Sequence, residues 1–360
     1  MAKKATPPTT RPTSTKKKRK QGARTEWKAF SIAGCDVRLY RATYYDADGD
    51  EVIPHGVPDV DPNYVFREDL VRELAWAVWP HDHPKPWHAD NWTPCLLAGP
   101  KGSGKTSLVL QVAARCNIPC WRVNLNVGTT VRHLKGRIGA EPGRTVFVPG
   151  VATAAAEAGG WLVLDEASAA SPPVTLALFP ILEPTGKILL EDAQPPRYVR
   201  RHPAFRIFAT DNALGNAMEN DRFSYAGTNA DMNEALLDRF GSFIEVSYME
   251  KEAEERAIAA KVTGIDGDTL EGLVRVADSV RKSREVAGGF SFRMLIDWAR
   301  RCHAGNVNAK GKRLSESEDD RDVLDAAMGA FLRRQKSSVE RQAIIEVIRR
   351  IFVIEKGGSS

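Results

Sequence analysis

From residue 93 to residue 248 the chain alternates short apolar runs with longer amphipathic stretches. The apolar runs at Cys95–Ala98, 119–126, 161–164, 206–210 and 243–248 have strand length, and the stretches Lys105–Cys116, Val151–Ala158 and the one beginning at Pro173 have helical spacing. A hairpin is expected around Gly186. Strands that alternate with helices predict an α/β fold with a largely parallel sheet flanked by helices. Beyond Glu250 the strand signal stops, and helical periodicity over 251–262, 269–284, 290–301, 319–335 and 337–353 predicts an all-helical C-terminal domain. Upstream, residues 36–45 partly alternate, Asp46–Asp50 supply a turn, and residues 51–53 return as a strand. Leu70, Leu74 and Val78 set a helix over 67–79. The expected organisation is a tail over 1–24, a small β-rich segment over 25–65, an α/β core over 66–249 and a helical domain over 250–355.

Composition changes this picture little, and charge changes it at one end. The chain has 360 residues, 42% hydrophobic, with no apolar run near the ~20 residues that span a bilayer. The N-terminal lysines have no apolar segment behind them, so they do not read as a secretory signal, and a cytosolic location without membrane association is expected. Five scattered cysteines read as small buried apolar residues rather than a disulfide framework. Residues 1–24 hold nine Lys or Arg and no acid, so the net charge of +5 less these nine leaves −4 for the rest. Such a Pro- and Thr-rich tail cannot bury enough apolar surface to offset its ordering entropy and reads as disordered. It can attract nucleic acid or an acidic partner, or simply solubilise the chain.

Two metal readings fail on spacing. The acidic turn Asp46–Asp50 has Gly49 fourth and Val57 twelfth, where a calcium loop needs Gly sixth and Glu twelfth. His81, His83 and His88 are interleaved with Pro80, Pro84 and Pro86, which favours an extended loop over a preorganised metal site.

The chemistry starts at Gly99-Pro100-Lys101-Gly102-Ser103-Gly104-Lys105-Thr106, followed by Ser107, which fits G-x-x-x-x-G-K-[ST] between a strand and a helix. Its glycines let backbone N–H groups curl around phosphates. Lys105 is placed to neutralise phosphate charge, and the Thr106 hydroxyl to hold Mg²⁺. About sixty residues later, Trp161-Leu162-Val163-Leu164 ends in Asp165 and Glu166. Asp165 can reach the Mg²⁺ shell and Glu166 can polarise an attacking water. The two acids could otherwise cap the next helix; the P-loop upstream points instead to ATP hydrolysis.

Three further residues extend the site. Asn212 follows the third strand, and parallel strand ends gather at one sheet edge, where it can reach between the γ-phosphate and the water. Arg239, in Leu236-Leu237-Asp238-Arg239-Phe240, is the candidate cation for charge developing on a transferred phosphoryl group, supplied in ring ATPases by the neighbouring subunit. Its alternative is an ion pair with Asp238 or another nearby acid, and Arg222 is the reserve candidate. Arg293 opens a helix of the C-terminal domain in Ser291-Phe292-Arg293.

Together these motifs resemble AAA+ ATPases. From about Tyr64 to Phe352 the chain is similar to the ATPase small subunit of aerobic cobaltochelatase (the CobS type) within the MoxR-like group. The P-loop, Gln111-Val112-Ala113-Ala114-Arg115, Pro119-Cys120-Trp121-Arg122-Val123-Asn124-Leu125 and Val163-Leu164-Asp165-Glu166 carry the resemblance. So do His202-Pro203-Ala204-Phe205-Arg206-Ile207-Phe208-Ala209-Thr210, Tyr225-Ala226-Gly227-Thr228, Asp238-Arg239-Phe240, and Ser291-Phe292-Arg293 with Trp298-Ala299. The resemblance implies a P-loop AAA+ core with a helical lid, and ATP and Mg²⁺ as cofactors. It places Asn212 at the sensor 1 position and Arg293 at sensor 2. It also implies a homo-oligomeric ring, hexameric in the family, and a partner with a von Willebrand A-type domain, where ATP turnover drives cobalt insertion into a corrinoid precursor. The segment 79–92 and the Gly- and Arg-rich region 128–144 are not part of the resemblance.

Overall fold

The computed structural model describes residues 24–79, 92–183, 186–212, 235–283, 286, 290–305, 307, 323–335 and 337–352. The expectations for residues 1–23, for the His- and Pro-rich loop 80–91, and for Arg222 and Tyr225–Thr228 lie outside them.

The strands β4 (Cys95–Ala98), β5 (Cys120–Asn124), β8 (Trp161–Asp165), β11 (Arg206–Asp211) and β12 (Ser242–Glu245) form one sheet in the order β12-β4-β11-β8-β5. Every pairing in it is parallel. β4, β8 and β11 are buried along their whole length, which is why they read as continuous apolar runs. Their side chains alternate between two cores. Leu97, Val163 and Phe208 pack with Leu74 of α1 (Glu68–Val78) and Val112 of α2 (Lys105–Cys116). Leu96, Leu162 and Ile207 face Ala155 of α4 (Val151–Ala158) and Leu178 of α5 (Pro172–Leu182). The α/β class expected from the pattern is the observed one.

The β-rich lead-in is an antiparallel sheet of β1 (Arg24–Phe30), β2 (Leu39–Tyr45) and β3 (Glu51–Val52). Asp46 Oδ1 accepts from the amides of Asp48 and Asp50 at 2.9 Å each, closing the β2–β3 turn. The lead-in has no core of its own. Ile32, Cys35, Val37 and Leu39 belong to the same apolar cluster as Leu108 and Val112 of α2. Asn117, in the left-handed conformation at φ 54° that ends α2, donates from Nδ2 to Ala42 O at 2.8 Å and ties that helix to β2.

The lid consists of α6 (Lys251–Lys261), α7 (Gly267–Lys282), α8 (Phe292–Ala304), α9 (Val323–Ala330) and α10 (Ser338–Phe352). Its separate core centres on Trp298, Phe290, Phe331 and Phe352. Gly272 admits the Phe352 ring, whose Cζ would lie 2.5 Å from any Cβ there. Ser291 caps α8 by accepting from the Met294 amide, and Asp266 caps α7 by accepting from that of Thr269.

Two local expectations are corrected. The hairpin placed at Gly186 closes further on, between β9 (Leu189–Leu190) and β10 (Arg197–Tyr198), while Gly186 turns the chain after α5 against the Pro180 carbonyl. Region 128–144, which lies outside the resemblance, holds α3 (Val131–Lys135) and most of a β6 (Gly136–Glu141) to β7 (Arg144–Pro149) hairpin. The helix expected over 319–335 is described as α9 followed by a 3₁₀ turn at Leu332–Arg334.

Candidate active site

Parallel strands deliver their C-terminal ends to one edge, and four of them meet here around a cavity of about 270 Å³. The register pairs Ala98 with Asp211 and Asn124 with Asp165, so the P-loop, the two acids and Asn212 share that edge. The cavity is lined by Lys105, Thr106, Asp165, Glu166 and Asn212, with Arg293 entering from the start of α8.

Lys105 is 6% exposed, and its ammonium donates to Gly99 O at 2.8 Å, Pro100 O at 2.9 Å and Asn212 Oδ1 at 2.7 Å. Burial lowers its pKa to about 8, against the opposing pull of Asp211, Asp165 and Glu166. Asp165 Oδ1 accepts from Thr106 Oγ1 at 2.7 Å and from Thr210 Oγ1 at 2.9 Å, while Oδ2 meets the Arg122 guanidinium. Glu166 follows in the left-handed region at φ 56°, uncommon for a residue with a Cβ, and turns the chain sharply away from the strand. The turn is held by Ser168 N, which donates to Asp211 Oδ2 at 2.9 Å, and by Glu166 N on Thr210 Oγ1 at 3.4 Å.

The P-loop suits an anion. Gly104 has φ 98°, and a Cβ built there meets nothing within 4 Å, so a side chain would fill the cradle. Gly99 lies so close beneath the Val246 carbonyl that a Cβ would sit 2.2 Å from its oxygen. Ser103 Oγ is buried without a hydrogen-bond partner, on the wall of a second cavity of about 380 Å³. That cavity shares Gly102, Gly104, Ser107 and Arg293 with the first, and its walls include Tyr64, Val65, Met249 and Ile296. A polar, cationic pocket beside a mainly apolar slot matches a triphosphate joined to a flat base. The hydroxyl of Thr106 and the carboxylate of Asp165 are hard oxygen donors of the kind Mg²⁺ takes.

The sequence-predicted residues divide into two groups. The P-loop, Asp165, Glu166, Asn212 and Arg293 are brought together. Arg239 does not line the cavity: its guanidinium lies 3.6 Å over the Phe179 ring and donates to Ala235 O at 2.6 Å. Three polar lining residues had no role assigned from sequence: Arg122, Asn124 and Thr210. Their signal was present in the alternation of Arg122 and Asn124 along an edge strand paired with the acid-bearing one.

Fold and site define an AAA+ P-loop ATPase, an ATP-hydrolysing enzyme. Residues 94–240 match the AAA domain (dynein-related subfamily), and residues 255–326 match the CbbQ/NirQ/NorQ C-terminal family. The aerobic cobaltochelatase subunit CobS of a Sinorhizobium species is 34% identical over 69% of this chain and 73% of its own length. Protein NorQ of Paracoccus denitrificans is 28% identical over 67% of this chain and 80% of its own. Midasin of Dictyostelium discoideum is 30% identical over 58% of this chain, which spans 4% of that protein. The chain belongs to the CbbQ/NorQ/CobS family of MoxR-like AAA+ ATPases.

Proposed function

We propose that this chain is a ring-forming motor that hydrolyses ATP between subunits to remodel a partner protein, in the manner of a CobS- or MoxR-type chelatase or chaperone ATPase. The observation that carries the reading is the convergence of Lys105, Thr106, Asp165, Glu166 and Asn212 on one cavity that Arg239 does not line. P-loop amides and Lys105 bind the triphosphate. Thr106 and Asp165 would hold Mg²⁺, which would supply neutralisation of phosphate charge. Glu166 accepts the proton of the attacking water, and Asn212 orients that water against the γ-phosphate. Arg293 reports phosphate occupancy to the lid. Arg239 acts on a neighbouring subunit's nucleotide, which suits a guanidinium held away from its own cavity on an aromatic face. None of the five cysteines is in a disulfide, which accords with work in the reducing cytosol.

Trapping tests the reading. Glu166→Gln loaded with ATP in host extract should retain the partner, identified by mass spectrometry. Recovery of a von Willebrand A-type protein with a large tetrapyrrole-binding subunit supports the cobaltochelatase form; recovery of another protein moves the substrate, not the motor. The nine basic residues of 1–24 favour a second reading, an ATPase tethered to nucleic acid. That reading requires DNA or RNA binding that weakens steeply with salt and disappears when residues 1–24 are removed.

A further inference from the structure

The segment that leaves β12 for the lid runs across the P-loop. Val246 N donates to Ala98 O at 2.7 Å, and two residues on the Tyr248 hydroxyl donates to the Lys101 carbonyl at 3.1 Å. The other face of the Tyr248 ring system is taken by the lid, with the Arg281 guanidinium carbon 3.9 Å from the ring centroid. Arg281 is fixed by its own partners. Nη1 and Nη2 donate to the two oxygens of Glu254 at 2.8 and 2.7 Å, and Nε donates to Phe290 O at 2.8 Å. The side chains of Arg281 and Glu254 are 10% and 2% exposed, so this fork is a rigid, desolvated hub. Phe290 immediately precedes Ser291, the cap of the helix that presents Arg293, and Ser291 in turn abuts Gly102, where a Cβ would lie 2.5 Å from its own.

We propose that Tyr248 is a positioning residue that locks the P-loop to the lid, so that the Lys101 carbonyl and the start of α8 move as one. This inference rests on the ATP-binding reading of the site. One arm of the connection runs from Lys101 through Tyr248 and Arg281 to Phe290; the other is the direct contact of Gly102 with Ser291. The closed circuit leaves the P-loop little freedom to adjust to phosphate without turning the helix that carries Arg293. Burial raises the Tyr248 phenol above its ordinary value, against the Arg281 charge and with that of Glu254, so the hydroxyl stays a donor over the working pH range.

Tyr248→Phe removes the one hydrogen bond and keeps the ring against Arg281. The variant should raise the KM for ATP roughly three- to tenfold, the effect of one ordinary hydrogen bond. Its kcat should change less than about twofold, because the interaction serves bound ground and transition states alike. Its melting temperature should stay within about 2 °C of the unaltered chain. Hydrogen–deuterium exchange on the full chain with ADP supplies the second readout. In the unaltered protein, P-loop amides and the first turn of α8 should gain protection together; in Tyr248→Phe the P-loop should gain it without α8. An unchanged KM with joint protection overturns the inference, as does a lowered melting temperature with KM unchanged. If the unaltered chain binds no nucleotide, the ATP-site reading falls as well, and that outcome is visible in the control alone.

Discussion

Lys105 donates to Asn212 Oδ1 at 2.7 Å, tying the P-loop helix to the end of β11, the strand that pairs with β4 in the sheet. With Gly99 O and Pro100 O also accepting, all three N–H groups of the ammonium are matched within the chain. On the proposed function, a bound γ-phosphate would exchange for some of these acceptors and free the Asn212 amide to face the water. Asn212→Ala should therefore lower kcat by about 10²-fold, the scale of losing one aimed polar group, with a smaller effect on ATP affinity. Steady-state kinetics beside fluorescent-nucleotide binding separates the two; equal loss in both would make Asn212 a binding residue only.

Glu166 stands at φ 56°, and Gln inherits the same backbone geometry and volume. Glu166→Gln should keep ATP affinity and lose about 10²- to 10⁴-fold in single-turnover hydrolysis, the range for removing a general base. Normal turnover would take Glu166 out of that role.

Arg239 meets Phe179 and Ala235 of its own chain. Arg239→Ala subunits should bind nucleotide normally yet lower kcat by about 10³- to 10⁵-fold in a homogeneous ring. Mixed with unaltered chain, they should depress activity more steeply than their mole fraction. Linear dependence on mole fraction, or full activity, would assign the finger to another Arg such as Arg222.

Asp61 of the lead-in accepts from Lys261 at the end of α6, at 2.5 Å, and both residues line the cavity of about 380 Å³. That hydrogen bond is the main reason the Asp61 carboxyl lies below its ordinary 3.8; partial burial opposes it. A depressed folded value means the link contributes above the unfolded value and is lost as pH falls through the folded one. Between about pH 5 and pH 2 the unaltered chain should therefore lose more stability than Lys261→Met. Parallel acid titrations followed by circular dichroism would show it; identical curves would leave Asp61 and Lys261 without a stabilising link.

What was legible in the sequence is what depends on near neighbours. The P-loop occupies eight consecutive residues, and Asp165-Glu166 sits at the end of an unbroken apolar run, so both announce themselves locally. The β6–β7 hairpin did not, because Gly136, Gly139 and Gly143 interrupt its alternation and Ile138 and Val148 stay exposed. β9 and β10 are two residues each, too short for any period, so the turn signal of Gly186 drew the hairpin to the wrong place. Arg122 meets Asp165 across 43 positions of sequence, a relation set by strand register and invisible to spacing. The connection through Tyr248 is of the same kind, since it joins Lys101 to Arg281 and its Lys101–Tyr248 arm alone spans a separation of 147 positions.

The lead-in's shared core has a consequence for where this enzyme can be cut. Leu39 and Ala42 are fully buried, and Asn117 anchors the P-loop helix to the Ala42 carbonyl. A chain trimmed to begin at β4 would not be a smaller ATPase with a decoration removed. It would carry a raw apolar flank beside its catalytic loop, prone to seek cover in any neighbouring molecule.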